Sequence, residues 1–121
     1  MSAPELLGVG TLGGIGAIAR FGLDGTVSER VRSTFPYGTF VVNLVGSFLL
    51  GILVGVTLDS AANALMGTGF IGAFTTFSTW LFETHRLGED RRLAVGLVNI
   101  AVSLVLGVAA AWAGEHVGAA L

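Results

Sequence analysis

The sequence predicts an all-α integral membrane protein with a single transmembrane domain over residues 1–121. Of its 121 residues, 53% are hydrophobic and only 12% are charged, and the mean hydropathy is +0.83. A soluble domain of this size buries only about 60–70% of the surface that its unfolded chain exposes, so it could not hide this much apolar surface. Four apolar stretches of a length suited to the roughly 30 Å hydrocarbon core alternate with short polar connections. They predict four membrane-spanning helices at about residues 6–23, 37–58, 64–82 and 93–112.

The first span is rich in glycine and contains one arginine. Gly10 and Gly14 are four residues apart, a spacing that suits close helix packing in lipid. Arg20, near the end of the span, is either an interfacial side chain that reaches the water or a buried anchor for polar groups of neighbouring helices. A cleaved signal peptide is disfavoured, because a signal peptide begins with basic residues, whereas the residues before this apolar stretch include Glu5 and no lysine or arginine.

The second and fourth spans each carry polar and small residues at helical spacing. In the second span, Asn43 and Ser47 share one face, and Gly51 and Gly55 repeat the close-packing spacing. The fourth span, the most apolar, has a polar-to-small stripe at every fourth position: Asn99, Ser103, Gly107 and Ala111. These stripes predict the faces along which the helices meet.

The third span contains a segment that a lipid-facing helix does not need. Residues 67–80, GTGFIGAFTTFSTW, combine glycines with several hydroxyls. A membrane helix can break only where protein, water or an ion satisfies the freed backbone groups. Such breaks, flanked by half-helices, are where membrane proteins place ion sites. The segment therefore predicts a broken third helix with a candidate ion site.

The arginines predict one orientation in the membrane. The first connection (residues 24–36) and the third (83–92) hold five arginines, whereas the rest of the chain outside the spans has no lysine or arginine. The positive-inside rule places these connections in the cytoplasm and both termini outside.

The sequence offers little for an enzyme or a pump. Two GxGxxG matches, at 8–13 and 67–72, lie in membrane spans rather than in the βαβ unit that dinucleotide binding requires. His85 and His116 lie near span ends without carboxylate or cysteine partners at ligand spacing. No acidic residue lies deep in a span, which favours a passive conduit over proton-coupled transport. The net charge of −2 argues against a nucleic-acid partner, and the absence of cysteine excludes disulfides and thiolate metal sites.

The uncharged polar residues of the spans have two interpretations. They are either hydrogen-bonding contacts between helices, worth roughly 0.6 kcal/mol each in membranes, or a line of donors that replaces the water around a small anion. Spacing alone leaves both open. The set is Asn43, Ser47, Thr75, Thr76, Ser78, Thr79, Asn99 and Ser103.

Three motifs carry a family resemblance that covers nearly the whole chain. They are GGIGAIARF at 13–21, GTFVVNLVGSFLLG at 38–51 and GFIGAFTTFSTW at 69–80. Together, and in this order, they resemble the fluoride channels called Fluc or CrcB. The resemblance implies an antiparallel dimer with two narrow fluoride pores, its third helices broken at the centre around a structural sodium ion. By the same resemblance, the backbone carbonyls of Gly72 and Thr75 hold that ion.

The resemblance also implies roles for side chains. Asn43 corresponds to the pore amide, Phe77 to the first member of an aromatic pair that lines the pore, and Ser103 to the polar track of the fourth helix. Arg20 corresponds to the arginine of the first helix.

Trp80 departs from the pattern, since it replaces the second phenylalanine of the aromatic pair. The fourth helix departs as well, with Asn99 in place of a frequent tyrosine and with Gly107 and Ala111 where hydroxyls often continue the track. Together these departures predict that one of the two pores is altered or non-conducting.

The predicted function is that of a fluoride channel subunit of the cell membrane, which lowers cytoplasmic fluoride by passive export. The arginine bias favours pairing with an inverted homologous subunit over pairing with itself, because an antiparallel homodimer must insert both ways. A small four-helix multidrug exporter is disfavoured, since the first span lacks a central glutamate. A membrane scaffold that transports nothing is the remaining alternative.

Overall fold

The computed structural model describes residues 2–121 as a bundle of helices. Their order is α1 (Ala3–Arg30), α2 (Tyr37–Val56), α3 (Ser60–Asn63), a π-helical stretch (Ala64–Ile71), α4 (Gly72–Phe74), α5 (Phe77–Glu89) and α6 (Leu93–Ala120). Three of them, α1, α2 and α6, are long and apolar enough to cross a membrane. The third predicted span is divided between the π-helical stretch, α4 and the first part of α5.

Two helices extend beyond the predicted spans. α1 starts with a capping box between Ser2 and Glu5 and continues to Arg30, so much of the predicted first connection is helical. Residues 24–30 contain Gly25 but no proline, and Thr26 donates its hydroxyl to the Gly22 carbonyl at 2.8 Å within the helix. α6 likewise continues to Ala120. Both helices are longer than the apolar stretches that predicted them, because the helical backbone continues into the more polar residues that follow each stretch.

α2 and α6 pack with their backbones in close contact. A Cβ added to Gly51 would overlap the Ala111 carbonyl, and one added to Gly55 would overlap the Glu115 carbonyl. From the other side, a Cβ at Gly114 would overlap the Phe48 carbonyl. The prediction that Gly51 and Gly55 mark a packing face is confirmed. Van der Waals packing of this kind holds membrane helices together where the hydrophobic effect does not.

The corresponding prediction for Gly10 and Gly14 is wrong as a contact within this chain. No atom lies within 4 Å of a Cβ added to either residue. α1 instead packs on the π-helical stretch through Gly16, where an added Cβ would overlap the Phe70 carbonyl, and through Gly13, where an added Cβ would lie 3.6 Å from the Gly69 carbonyl. The spacing identified a glycine-rich helix correctly but selected a face that does not pack against the other helices of this chain.

The two connections that carry arginines meet at one end of the bundle. Arg92 Nη1 donates to Thr34 Oγ1 at 3.3 Å, which joins the start of α6 to the segment before α2. The interior of the single chain is small: among the described residues, the only buried hydrophobic side chains are Val42, Ile71, Phe74 and Leu87. Large apolar side chains cover the outside instead, as expected of a chain surrounded by lipid or by another subunit.

Candidate ion site at a break between helices

The backbone leaves helical geometry at two adjacent threonines. α4 ends at Phe74 and α5 begins at Phe77, and between them Thr75 (ψ 159°) and Thr76 (φ −146°, ψ 117°) are extended. β-Branched side chains tolerate this conformation well. Thr76 also caps α5, because its Oγ1 accepts a hydrogen bond from the Thr79 N–H at 3.2 Å. The local sequence therefore both permits the interruption and restarts the helix after it.

Asn43 of α2 satisfies the backbone of the interruption. Its Oδ1 accepts a hydrogen bond from the Thr76 N–H at 2.8 Å, and its Nδ2 donates to the Thr76 carbonyl at 2.8 Å. An asparagine amide has two N–H donors, and these contacts occupy only one of them. Asn43 thus holds the extended segment in place while one N–H is left to bind an acceptor.

The carbonyls that precede the interruption lose their usual helical donors. In a continuous helix the Thr76 N–H would bond to the Gly72 carbonyl, but here it donates to Asn43. The Ala73 carbonyl accepts instead from Arg20 Nε at 3.4 Å. Arg20 is half-buried, and its contact favours the anchor interpretation over the interfacial one. Its positive charge also suits the carbonyl end of a helix.

A cavity of about 270 Å³ lies beside the interruption and brings together three of the predicted pathway residues, Asn43, Phe77 and Trp80. The rings of Phe77 and Trp80 are tilted by 51°, with their centroids 5.5 Å apart. No charged residue lines this cavity. Its remaining lining residues are Gly46, Ser47, Leu50, Ile71, Thr75 and Thr76.

Ser103 does not line that cavity but belongs to a partly buried chain of hydrogen bonds. Thr84 Oγ1 donates to the Trp80 carbonyl at 2.8 Å and accepts from Asn99 Nδ2 at 2.9 Å, and Asn99 Oδ1 accepts from Ser103 Oγ at 3.3 Å. A carbonyl can only accept, so the bond at Trp80 fixes the direction of every other bond in the chain. The single hydroxyl proton of Ser103 consequently points to Asn99, whose side chain is fully buried.

Sequence reasoning gave no functional role to Thr39 and Glu83, two polar residues that lie outside the lining of this cavity. Thr39 is almost fully buried, and one carboxyl oxygen of Glu83 is buried without a hydrogen-bond partner. Glu83 follows the predicted third span directly, and burial raises the pKa of its carboxyl. Thr39 lies one helical turn before Asn43 on α2, and this spacing was the available signal.

Side chains do not form a metal site in the part of the chain that the structure describes. Residues 2–121 contain no group of three His, Cys, Asp or Glu side chains that could hold a metal ion. The expectation that His85 has no carboxylate partner at ligand spacing is wrong, because its Nε2 lies 2.6 Å from Glu89 Oε1, one helical turn later on an exposed face. A cation in this chain would therefore depend on backbone carbonyls, such as those released at the interruption.

Known proteins resemble this chain over nearly its full length. The family model described as "CrcB-like protein, Camphor Resistance (CrcB)" matches residues 7–115. A Mycobacterium tuberculosis protein named "Fluoride-specific ion channel FluC 2" is 54% identical over 111 residues, which cover 92% of this chain and 88% of the relative. "Fluoride-specific ion channel FluC 1" of Geobacillus kaustophilus is 46% identical, with 98% and 99% covered. "Fluoride-specific ion channel FluC" of Citrifermentans bemidjiense is 40% identical, with 97% and 98% covered.

Proposed function

The chain belongs to the CrcB family, and we propose that it is a subunit of a fluoride-selective channel that lets cytoplasmic fluoride leave passively through the cell membrane. The observation that carries the proposal is the Asn43 amide, which holds the extended segment and has one N–H left at a cavity without charged residues. Fluoride is small and strongly hydrated, so a pathway for it must offer strong hydrogen-bond donors. An uncharged donor binds the anion without trapping it.

We assign the pathway to three of the residues that line this cavity, Asn43, Phe77 and Trp80. Asn43 supplies an N–H donor, and Phe77 and Trp80 supply ring edges, the positive part of the aromatic quadrupole. Ser103 acts less directly in this proposal, because its proton is directed to Asn99 in the chain of bonds that ends at the Trp80 carbonyl. The absence of carboxylates from the cavity lining suits an anion.

The proposed assembly is an antiparallel dimer of four-span subunits around a sodium ion. The Gly72 carbonyl lacks its helical donor, Thr75 is extended, and Gly72 is exposed on the single chain. Such carbonyls suit a hard cation that replaces the missing donors. When bound, sodium would supply positive charge to carbonyls that lipid cannot satisfy. The residues of the chain therefore fit the ion that the family resemblance implies.

The subunit that pairs with this chain is proposed to be an inverted homologue. The first and third connections lie at one end of the bundle and hold five arginines, so one orientation, with both termini outside, should dominate. A C-terminal tag and protease added to intact cells test this. Loss of nearly all the tag is expected, whereas loss of about half would indicate dual insertion and pairing of the chain with itself.

Liposomes test the function. We expect liposomes that contain the chain and its inverted homologue to release fluoride rapidly, measured with a fluoride electrode, and to retain chloride. Release by this chain alone would keep the function and contradict the fixed orientation. Equal release of both anions, or none from the pair, would contradict the proposed function. In the same liposomes, replacement of sodium by N-methylglucamine should slow release if the ion is structural.

A further inference from the structure

A second cavity, of about 500 Å³, opens at the end of the bundle where the two arginine-bearing connections meet. It lies between the end of α1, the segment before α2 and the end of α5. Three of the five connection arginines line it, namely Arg32, Arg86 and Arg92. Ser33, Thr34 and Tyr37 add hydroxyl groups to the same wall.

The three guanidinium groups form no close ion pair in the described part of the chain, although Arg86 is near enough to Glu83 to offset in part the rise that burial causes in the pKa of that carboxyl. Among residues 2–121, no arginine nitrogen lies within 4.0 Å of a carboxylate oxygen, although Glu83 and Asp90 line the same cavity. Arg92 uses one nitrogen to reach Thr34 at 3.3 Å, and Arg86 lies 5.9 Å from the centre of the Phe82 ring. Each guanidinium carries five N–H donors, so most of the donors around the cavity remain free. A tetrahedral oxyanion with several acceptor oxygens matches this arrangement.

Membrane orientation alone does not explain this convergence. The positive-inside rule counts basic residues near the spans and is indifferent to whether they share a cavity. Arg30 and Arg91 satisfy that rule without lining the cavity, whereas the other three connection arginines line it together. The difference between the two groups is the feature that indicates a ligand.

We propose that this cavity binds the phosphate group of an anionic phospholipid from the cytoplasmic leaflet. The side that the arginines place in the cytoplasm is the side where anionic headgroups are concentrated, and basic pockets between membrane helices bind such headgroups. Val31, which lines the cavity, is 45% exposed, and Leu93, which follows the lining residue Arg92, is 63% exposed. These apolar side chains offer a surface for the acyl chains. This inference rests on the proposed function in one respect, the cytoplasmic placement of the arginine-bearing connections.

Lipid binding to the purified chain in detergent tests the proposal without any fluoride measurement. We expect phosphatidylglycerol to raise the thermal unfolding temperature and phosphatidylcholine to leave it nearly unchanged. Inorganic phosphate should compete only weakly; phosphate that binds as tightly as the lipid would indicate a soluble anion as the ligand. Equal stabilisation by both lipids would overturn the proposal.

Charge-matched variants separate a site from general attraction. The double variant Arg32→Gln/Arg92→Gln should bind phosphatidylglycerol at least about tenfold more weakly. Arg30→Gln/Arg91→Gln removes the same charge outside the cavity and should bind within about twofold of the unmodified chain. Equal losses in the two double variants would show that only net charge matters. Because fluoride release is not the readout, failure here leaves the channel proposal intact.

Discussion

Replacement of Asn43 by leucine should reduce fluoride release from liposomes at least about 100-fold, which corresponds to roughly 2.7 kcal/mol. Leucine has a similar volume but removes both bonds to Thr76, each 2.8 Å long. The Thr76 N–H and carbonyl would then be unsatisfied at membrane depth, where each such group costs several kcal/mol. The variant also removes the N–H that we assign to the anion. Release is measured with a fluoride electrode on matched amounts of assembled protein.

Ser47→Ala is the matched control for this substitution. Ser47 lies one turn further along α2 and lines the same cavity, but it does not contact the extended segment through a hydrogen bond in the part of the chain described. We expect its variant to release fluoride within about threefold of the unmodified chain, an effect below 1 kcal/mol. Normal fluoride release by the Asn43→Leu variant would exclude Asn43 from the pathway and favour the interpretation of these polar residues as contacts between helices.

The site could be predicted only in part from the sequence, for a physical reason. Glycines and hydroxyls in one apolar segment predicted an interruption, and Thr75 and Thr76 are extended. Helical spacing placed Asn43 on a polar face of its span. Neither pattern shows that Asn43 binds Thr76, because a contact across 33 residues depends on how α2 and the interrupted segment pack together. The pairing is a tertiary property, and a single sequence contains no record of it.

The fourth helix illustrates a different limit. The sequence identified Asn99 and Ser103 as a polar stripe, but it could not show which partner each side chain binds. Thr84, which lies beyond the predicted third span, determines where the Asn99 amide points. The direction of the bonds then follows from the Trp80 carbonyl, a backbone group that residue patterns do not reveal. Hydrogen-bond capacity can be read from residue types, whereas hydrogen-bond direction requires the structure.

Glycine packing shows the same limit for helix faces. The spacing rule applied equally to Gly51 with Gly55 and to Gly10 with Gly14, but only the first pair meets a neighbouring helix. In an amphipathic soluble helix, hydropathy identifies the buried face. In lipid both faces are apolar, so hydropathy gives no such information. The outward face of α1 therefore could not be distinguished from its packed face.

Substitution of Gly114 by alanine should lower the free energy of unfolding by about 1–3 kcal/mol, the usual cost of excess volume in a packed interior. The added Cβ would overlap the Phe48 carbonyl and lie 3.0 Å from the Ile52 nitrogen. These are backbone atoms, so α2 and α6 must separate to accept it. The consequence is measured as a lower thermal unfolding temperature of the purified protein.

Gly22→Ala provides the comparison, because it adds the same methyl group to a helix at a position with no atom within 4 Å. Alanine favours a helix over glycine by up to about 1 kcal/mol, so this variant should be as stable as the unmodified chain or slightly more stable. The two variants share the change in helix propensity and differ in packing. If both changed stability equally, close backbone contact between α2 and α6 would not be what holds the bundle together. A loss confined to Gly114→Ala would assign that role to the glycines of this interface.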